Sequence, residues 1–149
     1  MDELDRRIIN ELQENFPVEA DPYGIMAKNL GIDADLLWQR VAALVESGVI
    51  RRMGFSIDSR KMGYASTLAA IRVSPERVEE ASALIGKYQE ITHSYLRDDA
   101  FNIWFTVIAE DKRRISAMLD KIRLKLGLSD EDMMDLPVKK LFKLDARFK

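Results

Sequence analysis

The sequence predicts an α+β fold: an N-terminal winged helix-turn-helix followed by a C-terminal ferredoxin-like βαββαβ domain. Three observations carry this. Over the first 48 residues apolar side chains recur at helical spacing, in three stretches punctuated by aspartate, proline and glycine. The apolar period then switches from 3.6 to 2. The segments that follow alternate as β-α-β-β-α-β, the split βαβ order.

Each element has its own signal. Leu4, Ile8, Ile9, Leu12 and Phe16 form one stripe of a first helix, which Pro17 ends. Asp21-Pro22 reads as an N-cap followed by proline at the first helical position, and Gly31 closes this second helix. Asp33 caps a third helix carrying Leu36, Leu37, Val41, Leu44 and Val45, closed by Gly48. Val49 to Asp58 is expected as an extended wing or linker strand. Tyr64 to Val73 reads as a strand, and Pro75 opens a helix over Glu76 to Lys87. Ile91 to Arg97 and Phe101 to Ala109 read as two strands joined by a tight turn at Asp98-Asp99-Ala100. Asp111 caps a helix to about Leu126, and a last strand runs from about Met134 to Leu144. The expected domains are therefore residues 1–58 and 59–149.

Composition removes several classes of chemistry. The chain has no cysteine, so disulfides, thiolate zinc sites, iron–sulfur clusters and thiol nucleophiles are excluded. No apolar run approaches the roughly 20 residues that span a bilayer. The first residues, Met1 to Asp5, are acidic where a signal peptide is basic, so a cytoplasmic location is expected. Charge is unevenly spread. Residues 1–60 hold 11 acidic and 7 basic side chains, a net of −4, while residues 61–149 carry a net of +2. The acidic half is the half that resembles a DNA-binding fold. Its third helix offers Arg40 against Asp33, Asp35 and Glu46, with Gln39 the only other base reader. Affinity for DNA comes mostly from Lys and Arg on phosphates, so a packing and dimerisation module is preferred to a DNA reader.

Chemistry-bearing residues concentrate between Ile91 and Ala109. On the first strand of this hairpin His93, Tyr95 and Arg97 share a face. On the second, Phe101, Ile103, Phe105 and Val107 share the face expected under the helices, leaving Asn102, Trp104 and Thr106 on the other. If Arg97 pairs with Asn102, Tyr95 stands opposite Trp104 and His93 opposite Thr106. One sheet face then holds an imidazole, a phenol, a guanidinium, a carboxamide and an indole. Plainer accounts exist for each: a cross-strand aromatic pair for Tyr95 and Trp104, a surface ion pair for Arg97 with Asp98 or Asp99. Taken together, a flat, aromatic, cationic face suits a planar, polycarboxylated ligand. Arginine holds a carboxylate in a two-pronged contact, and histidine is the side chain type that exchanges protons near neutrality.

At these residues a family resemblance emerges. The whole chain resembles the leucine-responsive regulator (Lrp/AsnC-like) superfamily, in Leu4 to Ile9, in Val41 to Ile50 and in the βαββαβ order. Within it, Thr92-His93-Ser94-Tyr95-Leu96-Arg97 with Phe101-Asn102-Ile103-Trp104-Phe105-Thr106 resembles the siroheme decarboxylases of the alternative haem and haem d1 pathways. Arg52-Met53-Gly54, Gly63-Tyr64 and Asp135-Leu136-Pro137 also look like that branch. Ser94 and Asp99 depart from it, standing where many relatives have Asn and some a second histidine.

The resemblance implies loss of carbon dioxide from two acetate side chains of siroheme to give didecarboxysiroheme. It implies a homologous partner subunit in a heterodimer, or a homodimer. It implies no resident metal or other cofactor, the siroheme iron belonging to the substrate. Carried over by position, His93 and Arg97 would be catalytic, as proton donor and carboxylate anchor, and Tyr95, Asn102 and Trp104 would bind substrate. Ligation of the substrate iron is the competing role for His93. Two other functions remain open from sequence: a transcription regulator sensing a small ligand or haem, and a tetrapyrrole-binding subunit without activity of its own.

Overall fold

The computed structural model describes residues 1–143 and 147. They fall into two units, Met1–Ser56 with Lys143 and Arg147, and Ile57–Phe142. Lys143 and Arg147 group with the first unit, and the Arg147 guanidinium bonds Glu14.

The first unit is built from three helices: α1 (Glu3–Glu14), α2 (Pro22–Leu30) and α3 (Ala34–Glu46). Each begins at an aspartate whose carboxylate accepts a backbone N–H left orphaned by the helix start. Asp2 accepts from Asp5 N while Asp5 accepts from Asp2 N, both at 2.9 Å, a reciprocal capping box. Asp21 caps α2 ahead of Pro22, and Asp33 caps α3. Gly31, at φ 69°, ends α2 in the left-handed conformation that glycine adopts without strain. Ile8, Met26, Leu37, Val41 and Leu44 meet in one buried cluster. Phe16, expected on the α1 stripe, lies past the helix end and packs edge-on against Tyr23, which in turn meets Trp38. Arg40, the single cation of α3, bonds Asp2 at 2.8 Å and Asp5 at 3.3 Å. The hydrogen bond from Asp5 N, followed by the Arg40 partner, holds the Asp2 carboxyl below its ordinary range.

Val49 to Asp58, expected as a wing or linker strand, pairs with no strand among the described residues. The alternating apolar side chains of Met53, Phe55 and Ile57 are exposed there instead. Apolar alternation alone does not make a strand, because the backbone groups need a partner row.

The second unit is a four-stranded antiparallel sheet with two helices. Its elements are β1 (Ala65–Ile71), α4 (Val78–Ile85), β2 (Ile91–Leu96), β3 (Ile103–Ala109), α5 (Lys112–Leu126) and β4 (Met133–Pro137), with strand order β2-β3-β1-β4. This is the predicted ferredoxin-like arrangement. Asp111 caps α5 as expected, accepting from Arg114 N at 2.7 Å. The helix after β1 departs from expectation: Pro75–Arg77 form a 3₁₀ turn before α4, which stops at Ile85. The last strand is shorter than expected, ending at Pro137, which has no N–H to continue a ladder. Its expected end, Leu144, lies outside the described residues. Burial along β3 alternates strictly, with Ile103, Phe105, Val107 and Ala109 buried against Ile115, Met118, Leu119 and Ile122 of α5. Ala69 and Ile71 of β1 and Ala81 and Ile85 of α4 complete that core. Phe101, expected in it, lies outside, half-buried beneath the Arg72 guanidinium at 5.6 Å.

Candidate functional site

The strict alternation of β3 fixes the sheet's other face. Trp104 and Thr106 project away from the helices, each only half-buried. Across the sheet, Tyr95 pairs with Trp104, Trp104 with Ala70 and Ala70 with Met134. In the next row His93 pairs with Thr106, Thr106 with Leu68 and Leu68 with Leu136. This is the register expected from the sequence, and Arg97 N donates to Asn102 O at 2.8 Å to close the hairpin. The open face is therefore apolar toward β4 and carries its polar groups along the edge strand β2. Tyr95 is 55% exposed, and Leu68 and Leu136 are 39% and 43% exposed.

A bulge in β2 creates this arrangement. Ile91 pairs with Val107, yet His93 pairs with Thr106, so Thr92 is an extra residue opposite no one. By simple alternation Ile91 and His93 would share a face. The bulge reverses that, so Ile91 packs against the helix-side core while His93 joins the open face. The His93 ring stacks beside Tyr95, centroids 6.3 Å apart and planes 14° from parallel. His93 Nδ1 lies 3.0 Å from Thr92 Oγ1.

Two residues expected to bind ligand have their polar groups committed elsewhere. Asn102 accepts from Val73 N at 3.1 Å and donates from Nδ2 to Val73 O at 2.8 Å. Its carboxamide thus extends the β1–β3 ladder by one step, where the sequence led to the expectation of a ligand contact. Trp104 Nε1 donates to Phe101 O at 2.6 Å, leaving the indole face rather than the N–H for contact. Arg97 lies over that ring, 5.7 Å from its centroid, and makes no ion pair among the described residues. The surface pairing with Asp98 or Asp99 is not formed, and Asp99 instead accepts from Phe101 N at 3.1 Å.

Sequence reasoning missed Arg72, which follows β1 at the same end of the sheet as Arg97. It is not a free cation, since Asp132 binds it at 2.8 Å. The Ser129 hydroxyl and then Arg72 hold the Asp132 carboxyl down at about 2. It also missed Leu68, Met134 and Leu136, because open-face residues on β1 and β4 become legible only once the strand order is known. A surface depression of about 560 Å³ is lined by Lys87, Tyr88, Glu90, Arg114 and neighbours, and none of the hairpin's polar residues contributes to it. The candidate site is thus a broad sheet face rather than a cleft. Such a face can receive a flat ring on Tyr95 and Trp104, hold an anionic substituent at Arg97 and move a proton at His93. Among the described residues no group of His, Asp and Glu is placed to hold a metal ion, and no helix is long and apolar enough to cross a membrane.

Comparison with known proteins agrees along the chain. Residues 61–143 match the family model for an AsnC-like ligand binding domain. Residues 5–51 match the model for a siroheme decarboxylase NirDL-like HTH domain. The siroheme decarboxylase alpha subunit of Nitratidesulfovibrio vulgaris is 38% identical over 149 residues, covering all of this chain and 83% of its own. The siroheme decarboxylase NirG subunit of Stutzerimonas stutzeri is 34% identical over 148 residues, covering 99% of each. The crystal structure of the siroheme decarboxylase NirDL superposes with a TM-score of 0.74 at 26% identity, over 97% of this chain and 47% of that one.

Proposed function

This chain belongs to the siroheme decarboxylase family, and from that premise we propose that it is one subunit of a dimeric enzyme that converts siroheme to didecarboxysiroheme. The observation that carries this is the placing of His93, Tyr95, Arg97 and Trp104 on one open sheet face. The reaction is a carboxy-lyase reaction and needs no redox partner. For each acetate the net change is loss of carbon dioxide and gain of one proton, leaving a methyl group. A proton delivered to the macrocycle beside the acetate creates an electron sink. The C–C bond to the carboxyl group then breaks with its electron pair moving toward the ring. A proton taken up at the remaining carbon completes the methyl group, and the ring gives back the proton it first received, so one proton is gained in all. No resident cofactor is required, and the iron arrives with the substrate.

The surroundings of each residue support a role for it. His93 is the proton donor, held beside Tyr95 on an exposed strand that the substrate can reach. Arg97 anchors a carboxylate next to the departing one. A tight contact to the departing group itself would stabilise the ground state more than the transition state. Arg97 therefore serves orientation, and it makes no ion pair among the described residues that would compete for a carboxylate. Tyr95 and the face of Trp104 carry the ring.

A partner subunit fits the geometry. The open face includes the half-exposed apolar residues Leu68 and Leu136, which a single chain leaves in water. NirDL is about twice as long as the region it shares with this chain, consistent with two such units working together. We infer that a homologous subunit, or a second copy, completes the site. The regulator alternative lacks support, since it requires a cationic third helix and Arg40 is bonded to Asp2 and Asp5.

The test is anaerobic incubation with siroheme, alone and with the co-expressed homologous subunit, followed by mass spectrometry. Stepwise loss of two carboxyl groups is expected. Bound siroheme without product, in the presence of the partner, would reduce the chain to a tetrapyrrole-binding subunit.

A further inference from the structure

We propose that Thr92, the bulge residue of β2, is a positioning residue that sets the His93 ring through its hydroxyl. The proposal rests on the decarboxylase role of His93 and names a device that serves it. The bulge does two things at once. It allows Ile91 to enter the core opposite Val107 while His93 faces the open side opposite Thr106. It also brings two consecutive side chains close enough for a bond, Thr92 Oγ1 to His93 Nδ1 at 3.0 Å. Regular strand geometry would send these neighbours to opposite faces.

The bond decides which ring atom meets the substrate. A half-turn of the imidazole about its last torsion exchanges Nδ1 with a carbon and displaces Nε2. The stack on Tyr95 sets the ring plane but does not distinguish the two half-turn states. The Thr92 hydroxyl does, because only a nitrogen bonds to it. Nε2 has no hydrogen-bond partner among the described residues and so remains for the substrate. Nδ1 keeps its proton in both charge states and the hydroxyl oxygen accepts it, so the bond survives the change of charge on the ring. In the imidazolium, Nδ1–H donates to Oγ1 while Nε2–H is delivered. Afterwards Nδ1–H still donates and Nε2 holds the free electron pair.

The experiment compares Thr92→Val, Thr92→Ser and His93→Ala, each assayed anaerobically with siroheme and the homologous subunit. Valine keeps the β-branched shape that suits a strand, and serine keeps the hydroxyl. Thr92→Val is expected to lower kcat about fivefold with little change in KM, the scale of one lost hydrogen bond. Thr92→Ser should restore kcat to about the wild-type value. A second readout does not depend on activity. His93 is the only histidine, so nitrogen NMR of the full chain reports it without ambiguity. The Nδ1 resonance should move toward that of free histidine in Thr92→Val and stay in place in Thr92→Ser. A wild-type kcat in Thr92→Val, with His93→Ala inactive, overturns the proposal and leaves the proton donor intact. Equal losses in the valine and serine variants also overturn it, since the hydroxyl would then be irrelevant. Full activity in His93→Ala would instead remove the proton donor, and an Nδ1 resonance unmoved by Thr92→Val would show that the bond itself is absent.

Discussion

Replacing Asn102 by alanine separates a ligand contact from a structural clamp. Asn102 bonds both backbone groups of Val73, at 3.1 and 2.8 Å. Val73 is only 7% exposed, so water does not readily replace what is lost. Each bond contributes about 1 kcal/mol net, and the groups left unsatisfied add to the cost, giving a loss of about 2–3 kcal/mol. For a unit of this size that corresponds to a fall in Tm of about 10 °C. The assay is thermal unfolding by circular dichroism, beside siroheme turnover measured well below the transition. The expected result is a lowered Tm with KM close to wild type. A Tm unchanged within about 2 °C, together with a KM raised about tenfold, would refute the clamp and return Asn102 to the ligand surface.

Arg97→Ala should raise KM for siroheme by about 10- to 100-fold, the scale of a lost charge-assisted contact, and Arg97→Lys should recover only part of it because a point charge replaces a fork. Steady-state kinetics check this, and a fall in kcat with KM unchanged would contradict the anchoring role. Asp132 links the turn before β4 to Arg72, with its carboxyl held at about 2 against an ordinary 3.8. A lowered carboxyl pKa stabilises the fold above the ordinary value, and that contribution is lost as pH falls toward the lowered one. Melting curves between about pH 4 and about pH 2 should therefore decline more steeply for wild type than for Asp132→Asn, and parallel curves would show that the pair contributes nothing.

Much of the fold was legible because local signals agreed with one another. Asp2 aside, each expected cap was read from an aspartate ahead of an apolar stripe, and Asp21, Asp33 and Asp111 all accept helix N–H groups. The β2–β3 register was legible because the alternation of β3 admits a single buried face. Other features depended on partners distant in sequence. The Thr92 bulge leaves no local trace, since the parity of Ile91 and His93 looks continuous until Val107 claims Ile91 for the core. Asn102 has the parity of an open-face residue, but it stands at a strand end where Val73 needs a partner. The linker over Val49 to Asp58 has the apolar alternation of a strand, with no strand to pair with among the described residues. Arg40 read as a lone cation among acids, and its partners Asp2 and Asp5 lie a full helix away.

Decarboxylation of siroheme on this open sheet face through His93 is tested most directly by His93→Ala with the homologous subunit present. Siroheme binding is followed by absorbance and product by mass spectrometry, under anaerobic conditions. The variant is expected still to bind siroheme, through Arg97, Tyr95 and Trp104, and to form no didecarboxysiroheme. Wild-type turnover by His93→Ala would contradict it.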